Sequence, residues 1–146
     1  MRTLFVSIVA VLLVGTSSAQ DDIKKDMTAL EGEWTMISGQ ANGTALPKDM
    51  VQTGNRTAKD GETTISFGGM IYFKAKYTID PTKKPKAIDY MMTEGVTKGK
   101  KQLGIYEING DTVKFCFASP GMDRPTDFTC KEGSGRTLSE WKRVKK

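Results

Sequence analysis

The 146-residue chain has no histidine. That absence excludes His-based general acid–base catalysis, Ser-His-Asp and Cys-His nucleophilic sites, and the usual zinc and copper ligand sets. Carboxylate-only or Ser-Lys chemistry is left, and no motif points to either. Neither standard glycine-rich phosphate loop is present. No enzymatic activity, metal or cofactor is therefore expected. There are two cysteines, Cys116 and Cys130. Neither follows the apolar run at the start of the chain, so a lipid-anchored lipoprotein is not expected. Beyond that run no apolar stretch is long enough to span a bilayer. The formal net charge of +5 is mild, and no RNA- or DNA-binding signature accompanies it, so no nucleic-acid partner is expected.

The first twenty residues read MRTLFVSIVAVLLVGTSSAQ. Arg2 gives a positive start, Leu4 to Val14 is apolar except for Ser7, and Ser17-Ser18-Ala19 offers small residues at a signal-peptidase site. Residues 1–19 are expected to be a signal peptide, cleaved after Ala19, and the protein to be exported to the periplasm or the extracellular space. Cleavage removes only Arg2 among the charges, leaving +4. Residues 20–146 fit one domain of ordinary size.

Within that domain, DDIKKDMTALEG reads as a short helix, capped by Asp21 or Asp22, with Ile23, Met27 and Leu30 on one face and Gly32 as its stop. EWTMISGQA reads as a strand carrying Trp34, Met36 and Ser38 on one face. MVQTGNRTAKDG is polar and gives no clear pattern. In MIYFKAKYTID, Ile71, Phe73, Ala75, Tyr77 and Ile79 alternate with Tyr72, Lys74, Lys76 and Thr78, the period of a strand with one dry face. ETTISF, turned by Gly68-Gly69, is its hairpin partner. AIDYMM, KQLGIYEI, TVKFCFA, TDFTC and RTLSEWKRV complete the strands, and Asn109-Gly110 is the strongest hairpin signal in the chain. About eight short strands with turns between them and no long helix predict an all-β antiparallel barrel.

A Gly-x-Trp start behind a short helix, followed by antiparallel strands in an exported chain, resembles the lipocalin-like (calycin) barrels. More specifically, LEGEW, TIDPTKKPKAID, KGKKQLGIYEINGDTVKFCFA, RPTDF and LSEWKR resemble, in order and spacing, a small exported domain of planctomycete bacteria that has no established activity. The resemblance covers nearly the whole mature chain; Trp141 departs from it, standing where an aliphatic residue is expected. It implies a lipocalin-like fold in which Trp34 closes one end of the barrel and Arg143, from the last strand, packs over it.

Ile65, Ile71, Phe73, Tyr77, Tyr106, Phe115 and Phe117 form the expected interior, which either fills itself or leaves room for one small ligand. The expected function is that of a non-catalytic module binding a small hydrophobic or amphipathic molecule. The candidate ligand-binding residues are Trp34, Met36, Ser38, Phe73, Tyr77, Tyr106, Phe115, Phe117 and Arg124, with Trp34 at the cavity floor and Arg124 at the rim. The alternative is an interaction module contacting an envelope protein or anionic polymer through loops and through Lys83, Lys84 and Lys86, extended by Lys98, Lys100, Lys101, Lys142, Lys145 and Lys146. Asp80, Asp89, Asp111 and Asp127 sit at strand ends and read as turn chemistry before acid catalysis. Export permits a disulfide between Cys116 and Cys130 on neighbouring expected strands. Alternation opposes it, since Cys116 faces away from Phe115 and Phe117 while Cys130 shares the parity of Phe128.

Overall fold

The computed structural model of the protein describes residues 17–146, so the expected leader falls almost wholly outside the described residues. The elements run α1 (Ser17–Leu30), β1 (Gly32–Ala41), β2 (Thr44–Ala45), α2 (Lys48–Thr53), β3 (Gly54–Lys59), β4 (Glu62–Phe67), β5 (Met70–Asp80), β6 (Lys86–Glu94), β7 (Lys101–Asn109), β8 (Thr112–Phe117) and β9 (Thr137–Arg143). From β3 to β9 every strand pairs antiparallel with the next, β1 pairs with β3, and β9 returns to β1. The result is a closed eight-stranded antiparallel barrel, with β2 as a short extra strand on β1. Closure leaves no long unpaired sheet edge. Among the described residues no helix is long and apolar enough to cross a membrane.

The turns explain much of this up-and-down path. Asp60 and Gly61 both take positive φ, 52° and 76°. That is the type I′ arrangement, whose twist matches two flanking antiparallel strands. It joins β3 to β4, a strand pair of which only the second member is expected from sequence. β7 and β8 form the expected hairpin, but with Asn109 paired to Thr112 the two turn residues are Gly110 and Asp111.

Three other expectations are corrected. Helix α1 is described from Ser17 onward, so Asp21 and Asp22 lie inside it rather than capping it. Its packed side carries Asp26 and Leu30, while Ile23 is exposed. Residues 126–130, expected as a strand, belong to an irregular segment between β8 and β9. The strand alternation also breaks at three bulges, two of which move expected interior residues. A bulge at Ile37 shifts the β1–β9 register, so that Met36 pairs with Trp141 but Ser38 pairs with Glu140. A second bulge at Tyr72 pairs Phe73 with Ile65 but Ile71 with Ser66. One inserted residue reverses every side chain beyond it. Ser38 therefore leaves the Trp34 face, and Ile71, expected inside, is 53% exposed.

The barrel core contains Trp34, Ile65, Tyr77, Ile88, Tyr90, Tyr106, Phe115 and Trp141. Full burial of each such side chain contributes about 1.5–3 kcal/mol. A separate layer lies outside the barrel, where residues 118–136 cross β6–β8. Ile105, Cys116, Ala118, Pro125 and Cys130 are buried there although they face away from the interior.

Candidate functional site

One end of the barrel is shut by the carboxyl end of α1. A helix leaves its last carbonyls without intrahelical partners, and these carry the negative end of its dipole. Three strands supply the missing donors. Trp34 Nε1 and Arg56 Nη1 both donate to the Leu30 carbonyl, each at 3.1 Å. Arg143 Nη1 donates to the Glu31 carbonyl at 2.8 Å, and Nη2 donates to that of Ala29. The Arg143 guanidinium carbon lies 4.2 Å from the centroid of the fully buried Trp34 ring, within cation–π range. Gly32 fits this packing. Its φ is +108°, and a Cβ there would lie 3.3 Å from Arg143 Nη1. The Gly-x-Trp pattern thus has a local cause.

Asp26 of α1 adds a polar clamp at the same end. Its carboxylate accepts from Tyr106 Oη at 2.7 Å and from Lys86 Nζ at 2.8 Å. Burial and the Asp26 carboxylate push the Tyr106 hydroxyl far above its ordinary pKa. Tyr106 therefore stays a protonated donor that ties β7 to the helix.

The opposite end is open. An apolar cavity of about 160 Å³ runs in from it. Its inner wall is formed by Met36, Ile65, Phe73, Tyr90, Phe115, Phe117 and Trp141. Leu46 and Met50, from the β2–α2 segment, and Phe67 and Tyr72, from the β4–β5 hairpin, also line it, as do Arg56, Gln102 and Ser139. Tyr72 is 58% exposed and stacks edge-on against Phe67 at 5.6 Å. Met70 and Ile71 beside it are also exposed, so the hairpin tip is an apolar collar.

Of the candidate binding residues, Met36, Phe73, Phe115 and Phe117 line this cavity. Trp34 and Tyr106 belong to the closed end, and Ser38 is exposed outside. Tyr77 is buried in the core but does not contribute to the cavity wall. Arg124 is an anchor for the outer segment: it donates to the Ile88 and Gly104 carbonyls at 3.1 and 2.8 Å and pairs with Asp89 at 2.6 Å.

Two polar residues of the cavity wall are engaged with the protein itself. Gln102 donates to the Ala118 carbonyl, and Ser139 accepts from Trp141 Nε1. Arg56, the charged residue of the wall, was missed by sequence reasoning because it lies in the stretch with no clear pattern. Its guanidinium carbon is 4.8 Å from the Phe115 ring centroid and 5.9 Å from that of Tyr77. Burial raises the pKa of the Tyr77 hydroxyl, and the Arg56 charge opposes that rise.

Elsewhere the titratable groups serve local structure. Asp80 accepts from the backbone and hydroxyl of Thr82, and Asp127 does the same with Thr129. These bonds, and the Lys145 ammonium beside Asp111, hold all three carboxyls below their ordinary pKa. Both cysteines are free thiols: Cys116 donates to the Thr129 carbonyl and Cys130 to that of Arg136. Cys130 lies in the outer segment that covers Cys116, not on a neighbouring strand as expected. Burial pushes the Cys116 thiol up to about 11.

No protein-family model, curated protein or solved structure matches the chain.

Proposed function

We propose that this protein is an exported, non-catalytic module that holds one small apolar or amphipathic molecule in its barrel, and that it belongs with the lipocalin-like exported domains its motifs resemble. The observation that carries this reading is the cavity: apolar walls, an aromatic lining and an opening at the end away from α1. Ligand sites are characteristically concave, mostly apolar and equipped with few polar groups. The size favours a modest ligand, since an apolar cavity of about 150 Å³ accommodates a benzene-sized molecule. The exposed collar of Met70, Ile71 and Tyr72 would let a longer apolar tail continue past the rim.

The alternative, an envelope contact through the lysines, has less support. Lys86, Lys101 and Lys145 are each ion-paired with an aspartate of the same chain. The deciding experiment is binding of an environment-sensitive apolar dye to the folded protein, with Phe73→Trp as a cavity-filling variant. Wild type should bind the dye and the variant should bind it several-fold more weakly. Equal binding by both, or none by wild type, would move the function to the surface.

A further inference from the structure

Among the described residues, three buried side-chain nitrogen or oxygen atoms lack a hydrogen-bond partner, and they belong to two residues. They are Nε and Nη2 of Arg56 and the hydroxyl of Tyr77. The two side chains are neighbours, and Arg56, wholly buried, forms part of the cavity wall. No carboxylate lies within ion-pair distance of Arg56 among the described residues. A buried guanidinium without a counter-charge is costly. The Phe115 ring offers attraction to the guanidinium face but leaves the in-plane N–H groups unmatched.

Its service to the fold is replaceable. The one hydrogen bond Arg56 makes goes to the Leu30 carbonyl, which Trp34 Nε1 also satisfies. Apart from the nearby Tyr77 hydroxyl, nothing engages the Nε–Nη2 edge, the side of a guanidinium that matches the two oxygens of a carboxylate.

We infer that Arg56, assisted by the Tyr77 hydroxyl, is the anchor for the carboxylate of a monoanionic ligand whose apolar body fills the cavity. This rests on the reading of the cavity as a ligand site. The ligand class is a single-headed acid with a phenyl-sized body or a medium-length alkyl chain. One cation suits one negative charge, and the remaining wall is too apolar for a sugar. The unpaired nitrogens have under 1 Å² of accessible surface each, so the carboxylate reaches them only when the side chains that cover this edge move aside.

The test uses octanoate and octanol, the same chain with and without the charge, added to the full protein at neutral pH and low salt. Calorimetry and the fluorescence of Trp141, a cavity-wall residue, report binding. Wild type should bind octanoate about tenfold or more tightly than octanol, the usual worth of hydrogen bonds to a charged group. Arg56→Met should erase that preference while still binding octanol, and Tyr77→Phe should reduce it by a smaller factor. If Arg56→Met does not fold, Arg56→Lys, which keeps the charge but loses the fork, should lower the preference; the wild-type comparison decides without any variant. Octanol binding with no octanoate preference, as when water serves these groups instead, overturns the anchor and leaves the cavity site standing. So does an undiminished preference in Arg56→Met. Failure of both probes to bind wild type overturns the cavity reading, and the anchor with it.

Discussion

Arg56→Met should make the ligand-free protein more stable. The loss side is bounded. The hydrogen bond from the charged guanidinium to the Leu30 carbonyl is worth about 1.5–3 kcal/mol, and that carbonyl keeps its bond from Trp34. The contact with Phe115 at 4.8 Å adds about 1–2 kcal/mol. Against this stands the burial of an unpaired guanidinium, an effective penalty of several kcal/mol. Methionine is unbranched and fills similar volume without polar atoms. The net expectation is a gain of about 1–3 kcal/mol. At roughly 4 °C per kcal/mol for a domain of this size, the melting temperature rises by roughly 4–12 °C. Urea denaturation of the reduced protein reads this as a higher midpoint at an unchanged slope. Destabilisation by more than about 1 kcal/mol would show that the guanidinium is needed by the fold, and would refute the reasoning.

At the closed end, Trp34→Ala should cost about 3–5 kcal/mol, as for other deleted core aromatics. Because the Arg143 guanidinium packs on that ring, Arg143→Ala in the Trp34→Ala background should cost at least about 0.5 kcal/mol less than in wild type; strict additivity would contradict the packing. Tyr77 and Tyr106 stay protonated in the folded protein above their ordinary pKa of 10.0, whereas the unfolded chain releases both protons there. Their contribution is therefore fully present below pH ~10 and lost as pH rises further. Denaturation midpoints should fall in that alkaline range, and Tyr106→Phe should shallow the fall; an unchanged slope in the variant would contradict the assignment. Thiol titration without reductant should find two reactive groups after denaturation, and slow reaction of Cys116 before it, its thiol being pushed up to about 11. Finding no free thiol would contradict the free state of the two cysteines.

What the sequence made legible was the part written in apolar alternation. β5 and β8 show their inner faces as Phe73, Ala75 and Tyr77, and as Val113, Phe115 and Phe117. The Gly-x-Trp start pointed to the closed end and to Arg143. β3 escaped because its inner face reads Gly54, Arg56 and Ala58, a glycine, a cation and a small residue that give no apolar period. The available signal was Asp60-Gly61, a hairpin dipeptide placed just before a recognised strand. The misplacement of Ser38 and Ile71 has another cause. Each bulge adds one residue, and strict alternation carried across it inverts the face. Arg124 was expected at the cavity rim, but it sits on the outer segment and holds the Ile88 and Gly104 carbonyls and Asp89, a placement that needs strand positions only the folded chain provides. Most of the residues expected at the site were aromatic and therefore visible. The charged residue on the cavity wall was not, because a buried arginine looks like a surface one until its surroundings are known.

The most direct test of ligand binding in the barrel is nuclear magnetic resonance of the methionine methyl groups. Met36 and Met50 line the cavity, whereas Met91 and Met122 are exposed and line none of it. On titration with octanol, the Met36 and Met50 methyl signals should shift together and saturate while those of Met91 and Met122 stay in place. Shifts confined to Met91 or Met122, or none at any methionine, would contradict a ligand site within the barrel.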